Sequence, residues 1–177
     1  TLLKAIGHSV GDSLVEDSML DEARTLIDEV DQSGTTLELP LDFVCAERPD
    51  GSLPLTLSGC DVPDGLMGLD IGPETQEIFG EVLEEAGSVV WNGPMGLFEV
   101  EPFDEGTAEI ARAIGTATER DASTIIGGGD TAAAMRRLGL EHSVSHISTG
   151  GGASLAMLEG IVIPGLSELN RCPNPQD

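Results

Sequence analysis

The stretch Ser123 to Ala134, STIIGGGDTAAA, constrains the chain more than any other. A short β-branched run breaks into three glycines, an acid and a threonine, and then into an alanine-rich helical segment. The physical reading is an anion-binding corner. A strand ends, glycines remove the side chains that would block approach, and a new helix offers unpaired backbone N–H groups and the positive end of its dipole. Ser145 to Leu158, SHISTGGGASLAML, repeats the plan.

Between and before these corners the pattern alternates. Asp17 or Ser18 is expected to cap a helix with Met19, Ala23, Leu26, Ile27 and Val30 on one face and Gly34 as its stop. Thr35 to Ala46, interrupted by Pro40, and Ser52 to Leu57 read as neighbouring strands. After the loop Gly59 to Gly65, the run Leu66 to Ile71 leads into Gly72-Pro73. These two start a second helix with Ile78, Phe79, Val82, Leu83 and Ala86 buried and Gly87 as its stop. Ser88 to Trp91 is a short buried strand ending in the glycine-rich loop Asn92-Gly93-Pro94-Met95-Gly96. A third helix over about Glu105 to Ala117 turns Ala108, Ala111 and Ile114 inward.

Strands alternating with helices predict an α/β fold, a Rossmann-like three-layer parallel sheet with helices on both faces. In such sheets ligands bind at the carboxyl ends of strands, so the loops after Trp91, Ile126 and Ile147 are expected to converge at one edge. The Walker and GxGxxG spacings are absent. Taken alone, each residue keeps an ordinary alternative: a glycine triplet is a turn, Asp130 a helix cap or a magnesium ligand, Glu99 a solvated charge. His146 would be a structural strand residue, and Asn92 and Pro94 turn residues.

Composition narrows the setting. Among 177 residues, 32 acids face 8 bases, a net charge of −24, and Lys4 is the single lysine. The acids are spread through every segment, which argues against a disordered acidic tail. Molar salt, with a Debye length of about 3 Å, would remove the self-repulsion, so the acidity reads as adaptation to a salt-rich cytoplasm. Nucleic acid is not an expected partner. Cys45, Cys60 and Cys172 form no CxxC pair, which fits a reducing cytoplasm. No run is long enough to span a bilayer, and no signal-peptide pattern occurs at Thr1 to Val10, so no membrane is expected as a partner. TLLKAIG opens apolar with neither a methionine nor a cap, so the chain is expected to begin mid-protein.

The order and wording of the segments are more specific than any one of them. VVWNGPMGLFE, IIGGGDTAA and SHISTGGGASLAMLEG, in that order, closely resemble the phosphoglycerate kinase family. LKAIGHSVGDSLVED, LPLDFVCA and MGLDIGPET resemble the same family's carboxyl-terminal domain, from about Leu2 to Gly165. The resemblance implies a nucleotide-binding domain over residues 1–165, its first elements missing, and a tail over 166–177 that could lie across the absent amino-terminal domain. It implies transfer of a phosphoryl group between 1,3-bisphosphoglycerate and ADP, giving 3-phosphoglycerate and ATP. A stand-alone nucleotide-binding or interaction module without catalysis is the alternative.

At matching positions it implies that Glu99 holds the ribose hydroxyls and that Pro94 flanks the base with Gly68 and Leu69. Asn92 would lie near the phosphates, Gly128, Gly129, Asp130 and Thr131 would contact them, and Asp130 would coordinate Mg2+. Gly127, Gly128, Gly151 and Gly152 match amides around the transferred phosphoryl group, Ser148 and Thr149 the hinge between domains, and His146 a residue at their interface. ADP or ATP is thus an implied partner, with phosphoglycerate bound through the missing domain. The chain departs from the family in lacking the upstream Gly-Gly-Ala-Lys segment and in carrying Ile161 where a lysine is expected. For this fragment alone, turnover is not expected.

Overall fold

The computed structural model describes residues 1–52, 54–148, 150, 152, 155–156 and 159–162. Thr149, Gly151 and the tail over 166–177 lie outside the described residues. The elements in chain order are α1 (Leu2–Ala5), α2 (Leu20–Ser33), β1 (Phe43–Ala46), β2 (Thr56–Ser58), β3 (Met67–Ile71), α3 (Pro73–Glu84), β4 (Ser88–Asn92), α4 (Glu105–Glu119), β5 (Ser123–Gly127), α5 (Gly129–Leu138) and β6 (His146–Ser148).

The fold is α/β and Rossmann-like. Its parallel sheet is ordered β4-β5-β6, and a second, antiparallel sheet is ordered β2-β1-β3. One apolar cluster joins Val89 and Trp91 of β4 and Ile126 of β5 to Ile110 and Ile114 of α4 and Met135 of α5. Val90, between the two inward residues of β4, points away and is 49% exposed, as strand alternation requires.

Several local expectations shift for identifiable reasons. The run from Thr35 contracts to Phe43–Ala46, because Pro40 interrupts it and Asp42 is drawn to a helix end, described next. The weaker run Ser52 to Leu57 becomes Thr56–Ser58, paired antiparallel with β1 as a neighbouring strand. Neither Asp17 nor Ser18 caps α2; a single 3-10 turn over Asp17–Met19 precedes it, and Gly34 at φ 76° closes it in the left-handed conformation. Met19 and Leu26, expected inside, are exposed, and Val82 of α3 is 54% exposed. α3 ends at Glu84, ahead of Gly87.

Two helices begin without a side-chain cap of their own, and two buried carboxylates, Asp42 just ahead of β1 and Asp70 within β3, supply it. Asp42 accepts from the amides of Glu74 (3.0 Å) and Thr75 (2.8 Å) and from the Thr75 hydroxyl (2.6 Å), closing α3. Gly72 must be glycine there, since a Cβ would collide with the Asp42 carboxylate. Asp70 of β3 does the same for α4 through the Gly106 amide at 2.7 Å. Four unpaired N–H groups at a helix start attract a carboxylate whether it is local or distant.

Candidate functional site at the carboxyl ends of the parallel strands

The strand register places Asn92 beside Gly127 and Gly127 beside Ser148. The last residues of β4, β5 and β6 therefore form one row, and the three loops expected to converge do leave from a common edge. At its centre the chain turns through Gly128 at φ 91°, the N-cap of α5. A Cβ at Gly128 would stand 2.7 Å from Asn92 Oδ1. Both the left-handed backbone and the close approach of Asn92 call for glycine.

The first turn of α5 carries no side-chain cap. Its first amide to bond a carbonyl one turn back is that of Ala132, on Gly128 O at 3.1 Å. Gly129, Asp130 and Thr131 precede it and point their amides out of the helix start, the geometry that receives an anion. Asp130 is exposed in this turn, one residue inside the helix. It is not the helix cap that the sequence allowed, since Gly128 holds that place. Thr131 is fully buried, and its Oγ1 accepts from the Gly93 amide at 2.8 Å. That bond ties the glycine corner to the loop after β4.

The loop from Gly93 to Glu99 is fixed on several sides. Leu97 N–H donates to Leu69 O at 2.9 Å, so the loop lies along β3 beside Gly68 and Leu69. The Glu99 carbonyl accepts from Arg137 Nη1 of α5 at 3.0 Å, while Glu99 itself is exposed. Pro94 is half-buried within the same loop. On the other side of Gly68, an apolar cavity of about 350 Å³ is lined by Leu14, Phe43, Val62 and Gly68 among others. The Gly68 amide donates to Ser13 Oγ at 3.0 Å. A larger groove of about 420 Å³ lies between α3 and α4, among Glu77, Glu81, Glu84, Glu109 and Arg112. Its lining contains none of the nucleotide- or metal-site residues that the family resemblance implies.

On β6, His146 is exposed and Ser148 half-buried. His146, His142, Glu141 and Arg136 border a cavity of about 350 Å³ at the edge of the parallel sheet. Gly150 and Gly152 are exposed, and a Cβ at Gly152 would meet nothing within 4 Å.

Among the described residues no three His, Cys, Asp or Glu side chains gather as a metal cage. Asp130 stands as a single exposed carboxylate in the first turn of α5, beside the glycine corner.

Burial pushes the Asp70 carboxyl up to about 7, offset by hydrogen bonds from Gly106 and Ile71 and reinforced by the like charges of Asp104 and Glu105. Asp70, Asp42, Thr107 and Arg137 were not visible as site-supporting residues in the sequence. The one local signal was an acid between apolar neighbours on a strand, Leu69-Asp70-Ile71.

A parallel sheet with a glycine corner and a helix start at its carboxyl edge defines a Rossmann-like α/β domain. The family model described as phosphoglycerate kinase matches residues 1–161. The chain is 49% identical over 171 residues to a phosphoglycerate kinase of Thermosipho africanus and 50% identical over 172 residues to one of Synechococcus elongatus. Each alignment covers 96% of this chain and 42% of the relative. The solved phosphoglycerate kinase of Coxiella burnetii superposes with a TM-score of 0.86 at 38% identity, over 91% of this chain and 41% of that one. That of Pyrococcus horikoshii gives 0.77 at 30% identity, over 96% and 42%. The chain belongs to the phosphoglycerate kinase family, and it spans about two fifths of the length of these relatives.

Proposed function

We propose that this chain supplies the nucleotide half of a phosphoglycerate kinase site, binding ADP or ATP for phosphoryl exchange with 1,3-bisphosphoglycerate and 3-phosphoglycerate. The observation that carries the reading is the row Asn92, Gly127, Ser148 with Gly128 and the start of α5 behind it. The phosphates lie on the amides of Gly128, Gly129, Asp130 and Thr131, near Asn92. Pro94, Gly68 and Leu69 flank the base, and Glu99 takes the ribose hydroxyls. Leu97 N–H on Leu69 O supports this, since it keeps the loop and β3 together.

Asp130 holds Mg2+, which when bound neutralises charge on the phosphate oxygens. The transferred group is surrounded by amides of Gly127, Gly128, Gly151 and Gly152. Phosphoryl transfer asks for positioning and fixed dipoles more than for a covalent nucleophile, and a helix start with glycine amides is suited to that. Ser148 and Thr149 serve as the hinge toward a phosphoglycerate-binding domain, with His146 at the interface. The setting is a salt-rich cytoplasm.

Titration calorimetry of the chain with ADP and Mg2+ tests the reading. Saturable binding is expected, and no turnover in an assay coupled to ATP formation. Absence of any ADP binding would overturn the nucleotide assignment, and normal turnover would overturn the assignment to half a site.

A further inference from the structure

We infer that Thr107 is a positioning residue of the nucleotide site, setting where the Pro94 to Glu99 loop stands through the amide of Met95. The inference rests on the reading above, in which that loop flanks the base and ribose. Between β4 and α4 the chain crosses the site without regular structure, yet it is held at alternate residues. Gly93 N–H donates to Thr131 Oγ1 at 2.8 Å, Met95 N–H to Thr107 Oγ1 at 3.1 Å and Leu97 N–H to Leu69 O at 2.9 Å. The Glu99 carbonyl then accepts from Arg137 at 3.0 Å.

Thr107 sits at the middle of this series and is fully buried, so it acts on a ligand only through the loop. Its neighbours on α4, Ala108, Ile110 and Ala111, are apolar and equally buried. An apolar residue would therefore suit packing alone, and a hydroxyl at this depth is placed for its partner. The turn that carries it is itself fixed, because the preceding amide, Gly106 N–H, is bonded to Asp70 at 2.7 Å. Gly96, next after Met95, packs so closely on the Asp70 carboxylate and the Phe103 carbonyl that a Cβ would overlap both. Base-side strand, helix start and loop are thus tied to one another, and Pro94 precedes the anchored amide directly.

Thr107→Val keeps the shape and removes the acceptor; Thr107→Ser keeps it. ADP and inorganic pyrophosphate are titrated in turn against the parent chain and both variants, at fixed Mg2+ and salt, at a temperature where circular dichroism shows each folded. Thr107→Val should weaken ADP about tenfold and leave pyrophosphate, which has neither base nor ribose, within about twofold, while Thr107→Ser restores ADP. Unchanged ADP affinity in Thr107→Val, or equal losses for the two ligands, would overturn the role. Where Thr107→Val does not fold, amide exchange in the parent decides: Met95 N–H should be protected, and exchange as fast as that of an open loop refutes the anchor. A parent that binds no ADP removes the nucleotide reading and this role with it, and the exchange measurement still reports separately on the anchor.

Discussion

The Asp70 carboxylate, on β3, accepts the Gly106 amide at 2.7 Å and so completes the first turn of a helix that begins 35 residues further along the chain. Its other oxygen accepts the Ile71 amide at 2.9 Å. One buried acid thus connects the antiparallel sheet, α4 and, through the tight approach of Gly96, the loop at the site.

Titration of Asp70 should be visible in stability. Its native carboxyl titrates near 7 against an ordinary value of 3.8, chiefly through burial. The native state therefore holds the proton more firmly than the unfolded chain does. This group's contribution is full below about pH 4 and is lost as pH rises through about 7, with a slope of at most about 1.4 kcal/mol per pH unit. Urea unfolding at fixed salt between pH 5 and 8 should show the parent losing stability relative to Asp70→Asn. Parallel curves for the two proteins would refute the shift.

Gly96→Ala should destabilise by about 1–3 kcal/mol, because the new methyl meets Asp70 and the Phe103 carbonyl in a space already filled. Gly87→Ala is the control, with nothing within 4 Å of its Cβ, and should change stability by no more than about 0.5 kcal/mol. The test is a pair of thermal or urea unfolding curves. Equal effects from the two substitutions would contradict the packing described around Asp70.

At the glycine corner, Asp130→Asn should weaken magnesium nucleotide by about tenfold while leaving metal-free nucleotide within about twofold. Asp130 is exposed in the first turn of α5, so the substitution leaves the fold intact. Calorimetric titrations with and without Mg2+ separate the two, and equal losses would exclude a metal role.

The charge balance predicts salt dependence. Net charge is −24, and among the described residues the ion pairs, such as Lys4 with Asp17 and Arg120 with Glu84, are at least half open to solvent on one partner. Such pairs offset little repulsion. Helical circular dichroism should fall on dialysis from molar salt to dilute buffer, where the Debye length grows from about 3 Å to about 30 Å. A full helical signal in dilute buffer would refute adaptation to salt.

Elements with a strong local signal were legible in the sequence. Gly34 stops α2, Gly72-Pro73 opens α3, and the β-branched run before Gly127 forms β5 as read. The first glycine corner was legible for the same reason, since Gly128 needs its left-handed backbone whatever surrounds it. Errors arose where a distant group won. Asp42 leaves the expected strand because the start of α3 offers it three hydrogen bonds. Met19, Leu26 and Val82 follow helical periodicity, yet they are exposed because periodicity names a face and says nothing about what covers it.

By itself the sequence determined the order of strands and helices, the glycine corner at Gly127 to Gly129 and the family wording that surrounds it, because backbone preference, apolar period and chain order are local properties. Only the tertiary structure decided that Asn92, Gly127 and Ser148 stand in one row, that Thr131 and Thr107 reach the amides of Gly93 and Met95, and that Asp42 and Asp70 cap helices they precede by more than thirty residues. Those contacts join residues far apart in the chain. Their energy comes from burying polar groups that must find partners wherever the packed elements bring them.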